Sequence, residues 1–156
     1  MSLLIIISCI DLHTFEIHDV MNFLLLGAGI IISLAYPHFY LKSSHLDSLF
    51  ISIKGALAGG AVIFLLRVFG KIVFKKEAMG EGDIFLAAGI GSFVGWSNLF
   101  FVFFSASVAG VIVGIILRII KGQEYIPFGP YLSLGAVTCI FWGQKFWDMI
   151  LSGMVP

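Results

Sequence analysis

The sequence predicts an all-α protein, a polytopic bundle of about six transmembrane helices in which residues 1–156 form a single membrane domain. Three observations carry that expectation. Hydrophobic residues make up 60% of the chain and charged residues 12%, against about 45–50% and about 25% in an ordinary soluble domain. Mean hydropathy is +1.08. The apolar residues also fall in long blocks separated by short polar breaks, and most blocks are near the roughly 20 residues that a membrane helix needs. A cytosolic globular enzyme of 156 residues cannot hide that much apolar surface. Nine Lys+Arg against nine Asp+Glu give a formal net charge of zero, which argues against a nucleic-acid partner. Cys9 and Cys139 lie far apart inside apolar runs and supply no disulfide framework, zinc spacing or redox motif.

The elements follow in order. Residues 2–10 (SLLIIISCI) run into Asp11. Nine residues of helix rise only about 14 Å, against a hydrocarbon core of about 30 Å. They lack the basic start and small-residue cleavage site of a signal peptide. The expectation is a first helix that is short, or a chain truncated upstream of Met1. Residues 20–36 form a second block, ended by Pro37, and residues 49–74 a third, with Lys54 and Arg67 towards its ends. Residues 84–120 are too long for one span, so two helices are expected, broken at Trp96-Ser97-Asn98. A last helix covers about 131–151. The 18 glycines read mainly as close helix packing.

Counting spans puts loops 11–19, 70–83 and 118–130 on one side of the membrane. Near that side lie Arg67, Lys71, Lys75, Lys76, Arg118 and Lys121, and near the other Lys42, Lys54 and Lys145. An excess of Lys and Arg marks the cytoplasmic side. Both Asp11 and Asp83 then face the cytoplasm.

Acids at membrane depth are costly and are functional candidates by default. Most acids here sit among polar loop residues or at the outer interface; Asp11 and Asp83 directly abut apolar helices. Asp83 closes Met79-Gly80-Glu81-Gly82-Asp83, where two glycines permit a tight turn and close approach of another chain. One reading makes Asp83 only an N-cap for the helix that follows. The other pairs it with Asp11. Two carboxylates in a partly dehydrated site share a proton, so that one is a base and the other an acid towards a peptide carbonyl. His13, His18, His38 and His45 are too scattered for a zinc helix motif, and no phosphate-cradling glycine loop is present. No metal and no other cofactor is expected. Tyr125-Ile126-Pro127-Phe128-Gly129-Pro130-Tyr131 is a stiff aromatic turn, either helix punctuation or a wall for an extended substrate.

Three stretches, taken together and in this order, resemble the type IV prepilin peptidases, bacterial membrane aspartyl proteases with a Gly-x-Gly-Asp motif. The first is Ile10-Asp11-Leu12 leading to Glu16-Ile17-His18-Asp19; the second is EAMGEGDIFLAAGIGSFVGW, Glu77 to Trp96; the third is IPFGPYL, Ile126 to Leu132, with Gly135-Ala136 after it. The resemblance covers essentially the whole chain. It implies that Asp11 and Asp83 are the catalytic pair and that Gly80 and Gly82 are the motif glycines. It implies prepilin or pseudopilin substrates, whose basic leader is cut at the cytoplasmic face of the bacterial inner membrane after a glycine. Phe128 and Gly129 are candidate substrate contacts. Two departures stand out: His18 where the family usually has proline, and Phe85 where many members carry lysine. The paired Cys-x-x-Cys motifs of the family's long forms do not occur in these residues, so the expectation is a short form, a peptidase without methyltransferase. Two other classes remain open on the sequence. One is a non-catalytic membrane component of a pilus or secretion system; the other is a small proton-coupled transporter with Asp11 and Asp83 as its proton site.

Overall fold

The computed structural model describes residues 4, 19–36, 44–75, 80–121 and 128–154. Four helices make up this part of the chain: α1 (Asp19–Ala35), α2 (His45–Phe74), α3 (Glu81–Lys121) and α4 (Gly129–Met154). No strand occurs among the described residues, in agreement with the all-α expectation. α3 is interrupted at Gly95, whose φ of 75° and ψ of 163° belong to a region open essentially only to glycine. The interruption falls one residue before the expected Trp96-Ser97-Asn98 break. The residue able to take a positive φ decides where the helix breaks, and the polar triplet follows it. Across the break, the Asn98 amide donates to the Val94 carbonyl at 3.0 Å.

With α3 counted as two segments, the described residues carry five helical segments. The expected count of six is not reached among them. The remaining expected helix, residues 2–10, lies outside the described residues apart from Leu4, which is helical and buried.

Helix ends follow local chemistry. The α1 ladder closes with the Tyr36 N–H on the Ile32 carbonyl at 2.8 Å, immediately before Pro37. His45 Nδ1 lies 2.7 Å from the Leu34 carbonyl and ties the start of α2 to the end of α1. α2 stops at Lys75, which takes a left-handed conformation (φ 53°) and donates its N–H to the Lys71 carbonyl at 3.1 Å.

Contacts set the directions of packing. Asn22, Leu25 and Gly29 of α1 meet Gly82, Gly89 and Ser92 of α3 in that order, so α1 runs parallel to the first segment of α3. Ser52, Gly55, Gly59 and Arg67 of α2 meet Ser92, Gly91, Ala87 and Glu81, so α2 runs antiparallel to it. Tyr131, Gly135 and Cys139 of α4 meet Gly110, Val102 and Asn98, an antiparallel pairing with the second segment.

The α2–α3 crossing brings backbone close to backbone. A Cβ on Gly55 would collide with the Gly91 carbonyl oxygen, one on Gly91 with the Gly55 carbonyl oxygen, and one on Gly59 with the Ala87 carbonyl oxygen. Backbone thus touches backbone, as small residues permit in membrane helices. The approach also lets Ser52 Oγ donate to the Ser92 carbonyl at 2.9 Å. One apolar core joins all four helices, through Leu25, Ile63, Leu86, Ile90, Val102 and Leu132 among others.

α2 and α3 are long and apolar enough to cross a membrane over His45–Val73 and Glu81–Ile120, and Val20–Ala35 is a shorter apolar helix. Their outward faces are not covered by protein: Ile72 is 71% and Ile119 79% exposed, within a surface rich in Leu, Ile, Val and Phe. In water such a continuous apolar surface is unfavourable. In hydrocarbon it is not.

Candidate active site

The start of α1, the end of α2 and the start of α3 meet at one end of the bundle, and Asp83 lies there. On α3, Asp83, Leu86, Ala87, Ile90 and Val94 are buried, a stripe at helical spacing. Asp83 occupies the top of that stripe and is 5% exposed. Glu81 and Phe85 fall on the other side of the helix and are exposed. Helical spacing, not hydrophobicity, is what carries this carboxylate inward.

The helix begins at Glu81, so Asp83 lies within its first turn and not ahead of it. The reading in which Asp83 is the capping residue is corrected accordingly: the boundary position falls to Gly80, which has no side chain to cap with. The Asp83 side chain turns back towards Gly80, since a Cβ added there would lie 3.9 Å from its Oδ2. A helix N-terminus is a favourable place for negative charge. Among the acids whose side chains are described, Asp47, Glu81 and Asp148 are exposed, and Asp83 is the buried one.

Three contacts hold this end together. Asn22 Nδ2 of α1 donates to the Gly82 carbonyl at 3.0 Å. Arg67 of α2 donates through both Nη1 and Nη2 to Glu81 Oε1, each at 3.0 Å. Phe23 and Phe85 place their ring centroids 5.2 Å apart, closing α1 against α3 beside the motif. The Gly80–Asp83 stretch is thereby gripped from both neighbouring helices.

Of the residues singled out from sequence, Gly80, Gly82 and Asp83 come together here. Asp11 lies outside the described residues, as do Glu16 and His18. Phe128 and Gly129 open α4: the Phe128 carbonyl accepts the N–H groups of Tyr131 and Leu132, both at 3.1 Å, and its ring packs on the common core. Gly129 and Pro130 are buried beside it. Phe128, Gly129 and Pro130 thus form the start of α4, and Tyr125, Ile126 and Pro127 lie outside the described residues. Among the described residues no three His, Cys, Asp or Glu side chains converge on a point that could hold a metal ion.

Two residues of this end were not singled out as site candidates. Asn22 carried a signal, a lone amide inside the apolar run Val20-Met21-Asn22-Phe23-Leu24. Arg67 was read only for its charge, and its partner Glu81 lies 14 residues away in the chain.

Fold and site together define a helical membrane protein with a buried carboxylate at a Gly-x-Gly-Asp turn. The chain belongs to the type IV leader peptidase family, whose model matches residues 1–115. Among curated proteins, it is 31% identical over 152 residues to a prepilin leader peptidase/N-methyltransferase of Aeromonas salmonicida, covering 96% of this chain and 50% of that protein. It is 34% identical over 145 residues to the protein of the same name from Pseudomonas aeruginosa, covering 91% of this chain and 47% of that one. A type 4 prepilin-like proteins leader peptide-processing enzyme of Escherichia coli is 40% identical over 90 residues, 58% of this chain and 33% of its own. The chain spans about half the length of the first two of these relatives. No solved structure matches it significantly.

Proposed function

We propose that this chain is a membrane aspartyl endopeptidase that removes the leader from type IV prepilins or pseudopilins at the cytoplasmic face of the bacterial inner membrane. The observation that carries the proposal is the burial of Asp83 at the Gly-x-Gly-Asp turn, in a chain of the type IV leader peptidase family. Asp11 is its partner in the reaction. One carboxylate takes a proton from water as the oxygen attacks the scissile carbonyl carbon. The other, protonated, donates to the carbonyl oxygen. The tetrahedral intermediate then collapses, the C–N bond breaks, and the departing amine takes the proton of that second carboxyl, while the proton drawn from water stays on the first. A coupled pair titrates as a unit, so the acid and base roles belong to the pair. Neither metal nor other cofactor enters the scheme.

The position of the site suits a substrate held in the bilayer. The first segment of α3, 14 residues from Glu81 to Val94, rises only about 21 Å. A helix that short starts below the surface of a core about 30 Å thick. The positive-inside count puts that end towards the cytoplasm. The substrate's basic leader then lies at the surface and its apolar helix among those of the enzyme.

The test is cleavage of a prepilin in lipid vesicles by the wild type, Asp11→Asn and Asp83→Asn, each checked for folding. Loss of leader removal in both folded variants is expected. Cleavage surviving either substitution refutes the pair mechanism. A folded wild type inactive on prepilins favours the non-catalytic pilus or secretion component, and proton flux abolished by the same substitutions favours the transporter.

A further inference from the structure

Asn22 is fully buried, at 0% exposed. Burying an amide is costly unless its donor and acceptor are both paired. Only half of this one is: Nδ2 donates to the Gly82 carbonyl, and Oδ1 has no partner among the described residues. A polar residue serving its own helix bonds to the preceding turn, as Ser33 does to the Ile30 carbonyl and Ser105 to the Phe101 carbonyl. Asn22 instead reaches 60 residues along the chain. An apolar side chain at this position would cost less.

The bond falls at a particular place. The Gly82 oxygen belongs to the peptide unit that carries the nitrogen and Cα of Asp83, and that unit is planar. Holding the oxygen fixes the plane from which the Asp83 side chain springs. Gly82 on the other side is the residue least able to restrain that plane by itself. A carbonyl has two lone pairs, so the contact from Asn22 adds to the helix's own ladder.

We infer that Asn22 is a positioning residue for Asp83, acting through the Gly82 carbonyl to hold the carboxylate in its reactive orientation. The inference rests on the reading that Asp83 does the chemistry. A merely structural Asn22 makes the opposite prediction about stability, which separates the two roles.

The experiment compares wild type, Asn22→Leu and Asn22→Asp, full chain in lipid vesicles, on a prepilin. Asn22→Leu is expected to keep or raise the thermal midpoint while kcat falls about 10- to 100-fold with KM little changed, the scale expected for a misplaced catalytic group. In Asn22→Asp the carboxyl can donate to the Gly82 oxygen only when protonated, so activity relative to wild type rises as pH falls. Glu81 and Asp83 on α3 and Arg67, Lys71 and Lys75 on α2 are the titratable groups described at this end; they are common to both proteins, so the profile is read as that ratio. A folded Asn22→Leu with wild-type kcat overturns the inference, as does a loss no greater than the loss of folded protein. Should Asn22→Leu fail to fold, Asn22→Asp decides alone, and a profile parallel to wild type overturns it. A wild type that cleaves no prepilin refutes the proposed activity. Positioning is then read from the infrared titration of the Asp83 carboxyl, assigned by difference with Asp83→Asn. A midpoint displaced in the Asn22 variants supports the inference and an unmoved one overturns it.

Discussion

The α2–α3 crossing sets up a sharp test, because glycines in neighbouring turns differ in what surrounds them. At Gly91 an added methyl group would collide with the Gly55 carbonyl oxygen, and would stand 2.7 Å from the Gly55 carbonyl carbon and 3.3 Å from the Ala56 nitrogen. All three are backbone atoms of a helix and cannot rotate aside. The helices must separate by about 1 Å to restore van der Waals distance. That movement stretches the 2.9 Å bond from Ser52 Oγ to the Ser92 carbonyl beyond hydrogen-bond range. Overpacking costs about 1–3 kcal/mol, and the lost bond about 0.5–1.5 kcal/mol. Gly91→Ala should therefore destabilise by about 2–4 kcal/mol, lowering the thermal midpoint by about 5–15 °C in a chain of this size. Two controls isolate the cause. At Gly60 the methyl group would meet the Ala88 Cβ at 3.5 Å and the Ile84 carbonyl at 3.7 Å, ordinary contact distances. At Gly27 nothing lies within 4 Å, so alanine there should stabilise by up to about 1 kcal/mol through helix propensity. The assay is thermal unfolding of the purified protein in one detergent, followed by circular dichroism. Equal midpoints for Gly91→Ala and Gly60→Ala would refute the argument that backbone contact holds this crossing.

Gly95→Ala should lower the thermal midpoint by the equivalent of about 1–3 kcal/mol, because its φ of 75° and ψ of 163° suit glycine alone; an unchanged midpoint would mean that α3 is not broken there. Trp147→Phe removes the indole N–H that donates to Asn98 Oδ1 at 3.0 Å. A loss of about 0.5–1.5 kcal/mol in detergent-unfolding titrations is expected, with prepilin cleavage by the remaining folded protein unchanged. Glu81→Gln breaks an ion pair whose acid is 74% exposed, so its cost should stay below about 1 kcal/mol and vanish in molar salt. A large, salt-independent loss would show that the Arg67–Glu81 pair clamps the motif more firmly than an exposed bridge can.

The order and rough extent of the helices were determined by local chemistry, and so were legible. Apolar blocks 20–36, 49–74, 84–120 and 131–151 correspond to α1, α2, α3 and α4, because a membrane helix must be apolar over its whole length. The Gly-x-Gly-Asp string was legible for a related reason: an acid beside an apolar helix is conspicuous in a chain with so few charges. The break in α3 was legible to within one residue, since its cause, Gly95, is one of many glycines and only the backbone dihedrals distinguish it. Tertiary structure alone decided the rest. Eighteen glycines look alike in the sequence, yet Gly55 and Gly91 touch backbone while Gly27 faces open space. Which face of α3 turns inward, and hence that Asp83 is buried while Glu81 two residues earlier is exposed, depends on where α1 and α2 lie against it. The bonds from Asn22 to Gly82 and from Arg67 to Glu81 join residues 60 and 14 positions apart. Periodicity within one helix carries no information about such pairs, because a contact between helices is set by crossing register and not by any local property of either strand of sequence.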